Sequence, residues 1–421
     1  MHRIPSRGRR LIAPLALGAV GVLALSACGS GFDDSSDDTS ATSGGDGLTI
    51  LIGSSGDAET AAVTAAVAAW SEDSGVDATV QVASDLTQEL SQGFASGDPA
   101  DVFYVAADSF QSYASNGSLY AYGDQLDNAD DFYPTLVDQF TYDDQLVCAP
   151  KDFSTLALVI NTDAWAAAGL TDADIPTTWD ELTTVATTLT TDSQVGLAFS
   201  GEYARVGAFL AQAGGTMVST DGTEATVDSA ENLAGLTYVQ QLLSSGVAAY
   251  ASDLGAGWGG EAFGTGAAAM TVEGNWITGS LSADYPDVNY EVVELPAGSG
   301  GEGTLQFTNC WGIAADSNSQ SDAVDLVQYL TDTDQQLTFS EAFGVMPSVQ
   351  SAADGWKDLY PDMTAFIDSA DFAQNVVNAK GASDVITDFN AQLEGLKTGD
   401  PATILASVQT NLQAVLDENA S

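Results

Sequence analysis

Apolar positions in this chain switch repeatedly between strand and helix spacing. "LTILI" (Leu48 to Ile52) is a short apolar run, followed by the polar turn "GSSGDAET". "AAVTAAVAAWSEDSG" then reads as a helix ending at Gly75, and "VDATVQVAS" alternates as a second strand. "LTQELSQGFASGD" is helical, and "ADVFYVAAD" is a third strand before "SFQSYASNGSLYAY". Strand, helix, strand, helix, strand predicts a parallel, doubly wound sheet. Ligands of such sheets gather at the carboxyl ends of the strands, which points to the loops Gly53 to Glu59 and Asp108 to Phe110.

The rhythm changes at Leu146. "LVCAPKDFSTLALVIN" reads as two strand-like pieces around a Pro-Lys-Asp turn, with no helix between them. "TDAWAAAGL" and "PTTWDELTTVATTLT" are helical, the second opened by Pro176 and Thr177. "VGLAFSG" is a strand, "YARVGAFLAQAGG" a helix with a glycine cap, and "SAENLAGLTYVQQLLSSG" another helix. "GTLQFTNCWGIAAD" is again extended, and "DAVDLVQYLTDTDQQLTFSEAFG" resumes helix. The tail, "ADFAQNVVNAKGASDVITDFNAQLEGLK" and "DPATILASVQTNLQAVLDENA", reads as helical. Extended crossings near residues 150 and 308 suit two lobes that the chain traverses twice.

One apolar run stands apart. Arg3, Arg7, Arg9 and Arg10 precede "LIAPLALGAVGVLALSA" (Leu11 to Ala27), which is short and broken by Pro14. A charged head, an apolar middle and small residues predict a signal peptide over 1–27. Its "LSAC" ending resembles the lipobox of bacterial lipoproteins, in which the cysteine, here Cys28, takes up acyl chains; an ordinary secretory peptide is the alternative. Residues 28–46, rich in Gly, Ser, Thr and Asp, cannot bury a core and are expected to act as a tether.

Charge narrows the partners. Without residues 1–27 the chain loses four of nine basic residues and its single histidine, leaving five bases against 59 acids and a net charge of −54. Nucleic acid and polyanions are poor partners for such a surface. A mature chain without histidine excludes Ser-His-Asp and Cys-His catalysis and His-ligated zinc. "GAGWGG" (Gly255 to Gly260) fits a dinucleotide fingerprint but lacks its strand and acid, and "TDTDQQ" lacks the rest of a calcium loop, so no cofactor and no metal are expected. Cys148 and Cys310, exported to an oxidising environment, are expected to form a disulfide, with two buried thiols as the alternative.

Five segments together resemble the family-1 extracellular solute-binding proteins of bacteria, the maltose-binding-protein-like group. They are "ADVFYVAADSFQSYASNGSLY", "DDQLVCAPKDFSTLALVINTDAWAAAGL", "PTTWDEL", "EAFGTGAAAMTVEGNW" and "GVMPS", in family order. Ser109 follows Asp108 where the maltose-binding protein has a basic residue, so the likeness does not extend to that protein's sugar. The resemblance implies a two-lobe, type II periplasmic-binding-protein fold of α/β class, with discontinuous lobes on a hinge that closes on the ligand. It places lobe 1 at 47–152 with a return at about 308–350, and lobe 2 at 153–307 with the C-terminal helices at about 351–421. Cys148 and Cys310 would then flank the two crossings.

Sugar sites combine aromatic faces with carboxylates and amides that bind hydroxyls. Trp276, in "VEGNW", is the first stacking candidate; Trp311 beside a crossing and Trp258 among glycines follow, each with a core role as the alternative. Trp70, Trp165 and Trp179 lie on helical patterns and are assigned to the core. Asp108 matches a sugar-binding aspartate of the family, and an N-cap is its other reading. Asp152 and Ser154 either bind ligand or fix the crossing turn; Asp57 and Glu59 either bind ligand or start a helix electrostatically. Glu202 and Arg205 are candidates because Arg205 is the only arginine after the signal, with a surface ion pair as the alternative. The expected function is a monomeric, lipid-anchored receptor on the outer face of the bacterial membrane. It would deliver a mono- or oligosaccharide to a permease driven by a cytoplasmic ATPase. A secreted glycoside hydrolase is the rival, since it needs only two carboxylates. The same fold binding a polyol, a glycerophosphodiester or a metal chelate is a third reading.

Overall fold

The computed structural model describes residues 47–420. The signal segment 1–27, Cys28 and the tether 28–46 lie outside the described residues. The strands are β1 (Leu48–Ile52), β2 (Ala78–Val82), β3 (Val102–Ala106), β4 (Thr141–Tyr142), β5 (Gln145–Leu146), β6 (Ala149–Asn161), β7 (Val195–Phe199), β8 (Ala248–Tyr250), β9 (Ala268–Gly274), β10 (Tyr290–Val293), β11 (Thr304–Ile313), β12 (Met346–Pro347) and β13 (Ala373–Asn375). The main sheet runs β2-β1-β3-β11-β6-β9-β7-β8, with β10 and β12 paired to β6 and β13 paired to β11.

Both ends of this sheet are parallel: β1 pairs with β2 and β3, as the alternating pattern there predicts, and β7 pairs with β8 and β9. Helix Asp57–Ser74 makes the first crossover and stops at Gly75, whose left-handed backbone (φ 73°) lets its N–H reach the Ser71 carbonyl. Helix Trp179–Leu189 opens at Thr178 rather than Thr177. The Thr178 hydroxyl accepts from the Glu181 amide while Glu181 reaches back to the Thr178 N–H.

Between the parallel ends, β11 runs antiparallel to β3 and β6, and β6 antiparallel to β9. Here the structure corrects the predicted turn at Pro150-Lys151-Asp152. These residues belong to one 13-residue strand, buried along nearly its whole length. Pro150 faces Cys310 and Asp152 faces Asn309, so Lys151 is the extra residue of a bulge. A bulge tolerates a proline without its N–H inside a strand, and it keeps Lys151 in the interior.

A second correction concerns the tail. Residues 370–381, read from sequence as helix, instead fall in a 3-10 turn (Ser369–Phe372), the short edge strand β13 and a connecting loop. Long-range amide bonds hold this segment extended: Gln306 Nε2 donates to Asn375 Oδ1 at 2.6 Å and Asn375 Nδ2 to the Thr135 carbonyl at 2.7 Å. Helix resumes at Ala382.

β6 and β11 thread two cores. Leu156, Leu158 and Leu305 pack with Phe199, Phe209 and Phe389 in one, whereas Ala149, Trp311 and Ile313 pack with Ile50 and Val327 in the other. The Cys148–Cys310 disulfide forms as expected, fully buried against Phe103, Phe110 and Phe140. No helix among the described residues is long and apolar enough to cross a membrane.

Candidate functional site

Trp276 follows β9 on a backbone that only glycine permits. A Cβ on Gly274 would lie 2.3 Å from the indole, so the ring rests on bare backbone. Its Nε1–H donates to Glu273 Oε2 at 3.1 Å, and Phe307 meets it edge-on at 5.6 Å between centroids. The Arg205 guanidinium sits 5.1 Å from the ring centroid. Trp276 nonetheless keeps 38% of its surface exposed. The indole is thus held by Gly274, Glu273 and Phe307 and still reaches solvent.

Glu273 organises this shelf. Arg205 Nε and Nη2 both donate to its Oε2, at 3.1 and 2.7 Å. The alternative reading of Arg205 as an ion pair is thus met, but with a fully buried carboxylate rather than a surface one. Burial raises the Glu273 pKa; Arg205 and the Trp276 N–H pull it back only in part, and Glu202 nearby adds to the rise. Glu202 is exposed at the N-cap of helix Tyr203–Gln212. Glu273 Oε1 and Thr271 Oγ1 have no hydrogen-bond partner, and a Cβ on Gly259 would lie within 2.7 Å of both. Trp258 is half-buried over Gly260 and packs with a core cluster.

A second polar knot lies along the same face. Lys151 Nζ pairs with Glu59 Oε1 at 3.0 Å and with the Asp152 carboxylate, and it lies 4.5 Å from the Tyr104 ring centroid. Tyr104 donates its hydroxyl to Glu59 Oε1, and the Ser55 amide and hydroxyl both donate to Oε2 at 2.7 Å. Burial works to raise the Glu59 pKa, yet Lys151 and Ser55 together outweigh it and hold the carboxyl below its ordinary range. For Asp152 burial prevails over Lys151 and the pKa rises.

The register of the two crossings joins shelf and knot. Phe307 stands opposite Ser154, and Asn309 opposite Asp152, so all four lie on one face of the β6–β11 ladder. Ser154 Oγ accepts from the Asn275 amide at 3.1 Å, next to Trp276, and Asn275 Nδ2 donates to the Gly344 carbonyl at 2.8 Å. A chain of contacts through Glu273, Asn275 and Lys151 therefore links Arg205, Trp276, Ser154, Asp152 and Glu59, with Glu202 near Glu273.

Other candidates stand elsewhere. Asp57 is exposed in the first turn of its helix; Asp108 is exposed as the second residue of helix Ala107–Ser115, whose N-cap is Ala106, so Asp108 is not the cap. Trp311 is corrected from stacking candidate to core. It is fully enclosed, its ring 4.7 Å from Tyr104, and it offers no face to a ligand. Trp70 and Trp165 are buried, and Trp179 is half-buried in a stack on Tyr238.

Sequence reasoning missed Lys151, Glu273 and Phe307. Two signals were present: Lys151 is one of five basic residues after the signal, and Glu273 is the sole charge in "AAAMTVEGNW". A chamber of about 890 Å³ lies elsewhere, walled by Gln111, Thr135, Gln139, Tyr203, Asn375 and Asn378 among others. None of the ten candidates lines it. Its walls mix amides and hydroxyls with Tyr142, Tyr203 and apolar side chains such as Met217, Val376 and Leu416 and include no tryptophan, whereas the β6–β11 face carries the exposed indole of Trp276.

Comparison with known proteins agrees with this architecture. The profile of the family described as bacterial extracellular solute-binding protein matches residues 65–368. Among solved structures, the cyclic α-maltosyl-1,6-maltose binding protein of Arthrobacter globiformis is similar at 23% identity and a TM-score of 0.79, over 88% of this chain and 99% of that one. The GacH receptor of Streptomyces glaucescens, solved unliganded and with acarbose, is similar at 22% identity and a TM-score of 0.76, over 88% and 99%. UgpB of Mycobacterium tuberculosis, in complex with glycerophosphocholine, reaches a TM-score of 0.75 at 18% identity, over 90% and 100%. These likenesses establish the two-lobe, type II periplasmic-binding-protein fold that the segment order implied. With the family profile spanning most of the chain, this protein belongs to the bacterial extracellular solute-binding proteins.

Proposed function

We propose that the protein is the solute-binding component of an ABC importer and that its ligand is a mono- or oligosaccharide held against the Trp276 shelf. The observation that carries this reading is the shelf itself: an indole fixed by Glu273, Gly274 and Phe307, yet 38% exposed. Pyranose C–H faces pack on such a surface, while Ser154 and Glu202 offer hydroxyl partners. The Arthrobacter and Streptomyces proteins, named or solved with saccharides, support a sugar. Residues 47–152 with about 308–350 would form one lobe, and 153–307 with about 351–421 the other, closing over the β6–β11 face. We read the protein as a binder and not a hydrolase. Glu59 and Asp152 are both buried against Lys151, and Glu273 against Arg205, so these carboxyls are engaged by cations rather than presented to a ligand.

Trp276→Ala should weaken sugar binding by about 1–3 kcal/mol with little change in the melting temperature of the ligand-free protein. A thermal-shift screen against a sugar library identifies the ligand, and calorimetry then measures the loss. A variant that melts normally and binds its sugar normally would remove Trp276 from the site.

The same proposal includes a lipid anchor at Cys28, monomeric action at the outer face of the membrane, and delivery to permease subunits served by a cytoplasmic ATPase. Cys28→Ser should move the protein from the membrane fraction to the medium with unchanged sugar affinity. A variant still pelleting with membranes would count against the anchor.

A further inference from the structure

We infer that the site selects against anionic sugars and that Glu273 sets this preference. The inference rests on the sugar reading and narrows it to neutral and amine-bearing saccharides.

It follows from where each positive charge on this face is engaged. Arg205, the only arginine after position 10, holds Glu273 through both Nε and Nη2, and its Nη1 makes only a 3.5 Å contact with the Ala204 carbonyl. Lys151 faces two carboxylates, Glu59 and Asp152. One cation facing two carboxyls leaves no unmatched positive charge in that knot. The Arg205–Glu273 pair is neutral, and the exposed Glu202 beside it makes the shelf negative. Lys357, away from this face, pairs with Asp368. A uronate or sugar phosphate laid on Trp276 therefore meets no unmatched cation. To recruit Arg205 it would have to draw the guanidinium from Glu273, leaving that carboxylate buried without its partner, which is strongly unfavourable. A neutral hydroxyl or a sugar amine carries no such cost: a hydroxyl oxygen can accept from Nη1, and the exposed Glu202 carboxylate can accept from a hydroxyl or an ammonium. Rejection of the wrong ligand here comes from a repulsive element built into the site.

Matched trisaccharides test this: β-1,4 trimers of glucose, glucosamine and glucuronate, and α-1,4 trimers of galactose, galactosamine and galacturonate, titrated calorimetrically into the full-length protein. In the series that binds, the acid trimer should be about tenfold or more weaker than the neutral one at 20 mM salt, the gap narrowing at 0.5 M as screening shortens. Glu273→Gln, nearly isosteric, leaves Arg205 unbalanced and should shift the acid-to-neutral affinity ratio about tenfold toward the acid. If that variant does not fold, the surface change Glu202→Gln should shift the same ratio in the same direction. An acid trimer binding as tightly as the neutral one in the native protein overturns the inference and leaves the sugar reading standing. A ratio unmoved by the folded glutamine variant removes the role of Glu273. Absence of binding by every trimer and by the wider sugar library would sink the sugar reading itself.

Discussion

Replacing Lys151 by methionine should destabilise the protein by about 3–5 kcal/mol at neutral pH, because it strands two buried carboxylates. Lys151 is 5% exposed and is the shared cation of Glu59 and Asp152. Its side chain is long enough for methionine to fill the space, so the lost term is electrostatic rather than volumetric. The pH dependence gives the sign. In the native protein Glu59 is held below its ordinary pKa, so its contribution is present above the unfolded value and is lost as pH falls through the folded one. Without Lys151, burial dominates both carboxyls and raises them above their unfolded values of about 4. Their contributions are then present below those values and are lost as pH rises through the folded ones. The penalty should therefore shrink as the pH is lowered from 7.5 toward 4, as measured by urea unfolding of native protein and variant in parallel. A penalty under about 1 kcal/mol that does not vary with pH would show that the knot does not depend on Lys151.

Removing the disulfide is the other large effect. Cys148→Ala with Cys310→Ala should lower stability by about 2–5 kcal/mol. The bond spans 162 positions, so its loss frees a long loop in the unfolded chain. It also anchors β11 beside the start of β6, one residue pair from the Lys151 bulge. Both sulfurs are fully buried, so labelling reagents should find no thiol, with or without reductant, until denaturant is added. The double variant should bind its sugar normally while unfolding at lower urea. Equal midpoints for the two proteins would mean that packing alone holds these strands together.

Much of the fold was legible because local physics and tertiary structure agreed. The alternation from Leu48 to Ala106 became β1, β2 and β3 with their crossover helices, and Gly75 capped the helix it was expected to end. Trp276, the first stacking candidate in "VEGNW", proved partly exposed. Where the reading went astray, residues distant in sequence were the cause. "CAPKDF" carries the proline and charges of a turn, yet pairing with β11 on one side and β12 on the other keeps it extended. "AQNVVNAKG" has helical composition, but Gln306 and Thr135 bind Asn375 and draw the segment to the sheet edge.

The sequence by itself determined the alternation of strands and helices, the exclusion of histidine chemistry, the pair of cysteines available for a bond, and the family-like order of segments. Each of these depends on residue type and near neighbours, which a linear reading contains. The tertiary structure alone decided which charges are matched, and therefore what the candidate site offers. Glu59, Lys151 and Asp152 meet because folding brings the helix that follows β1 to the bulge of β6, and Glu273 meets Arg205 because β9 lies beside β7. Such pairings join residues up to 92 positions apart, and a buried charge takes its energy from the partner that folding brings to it.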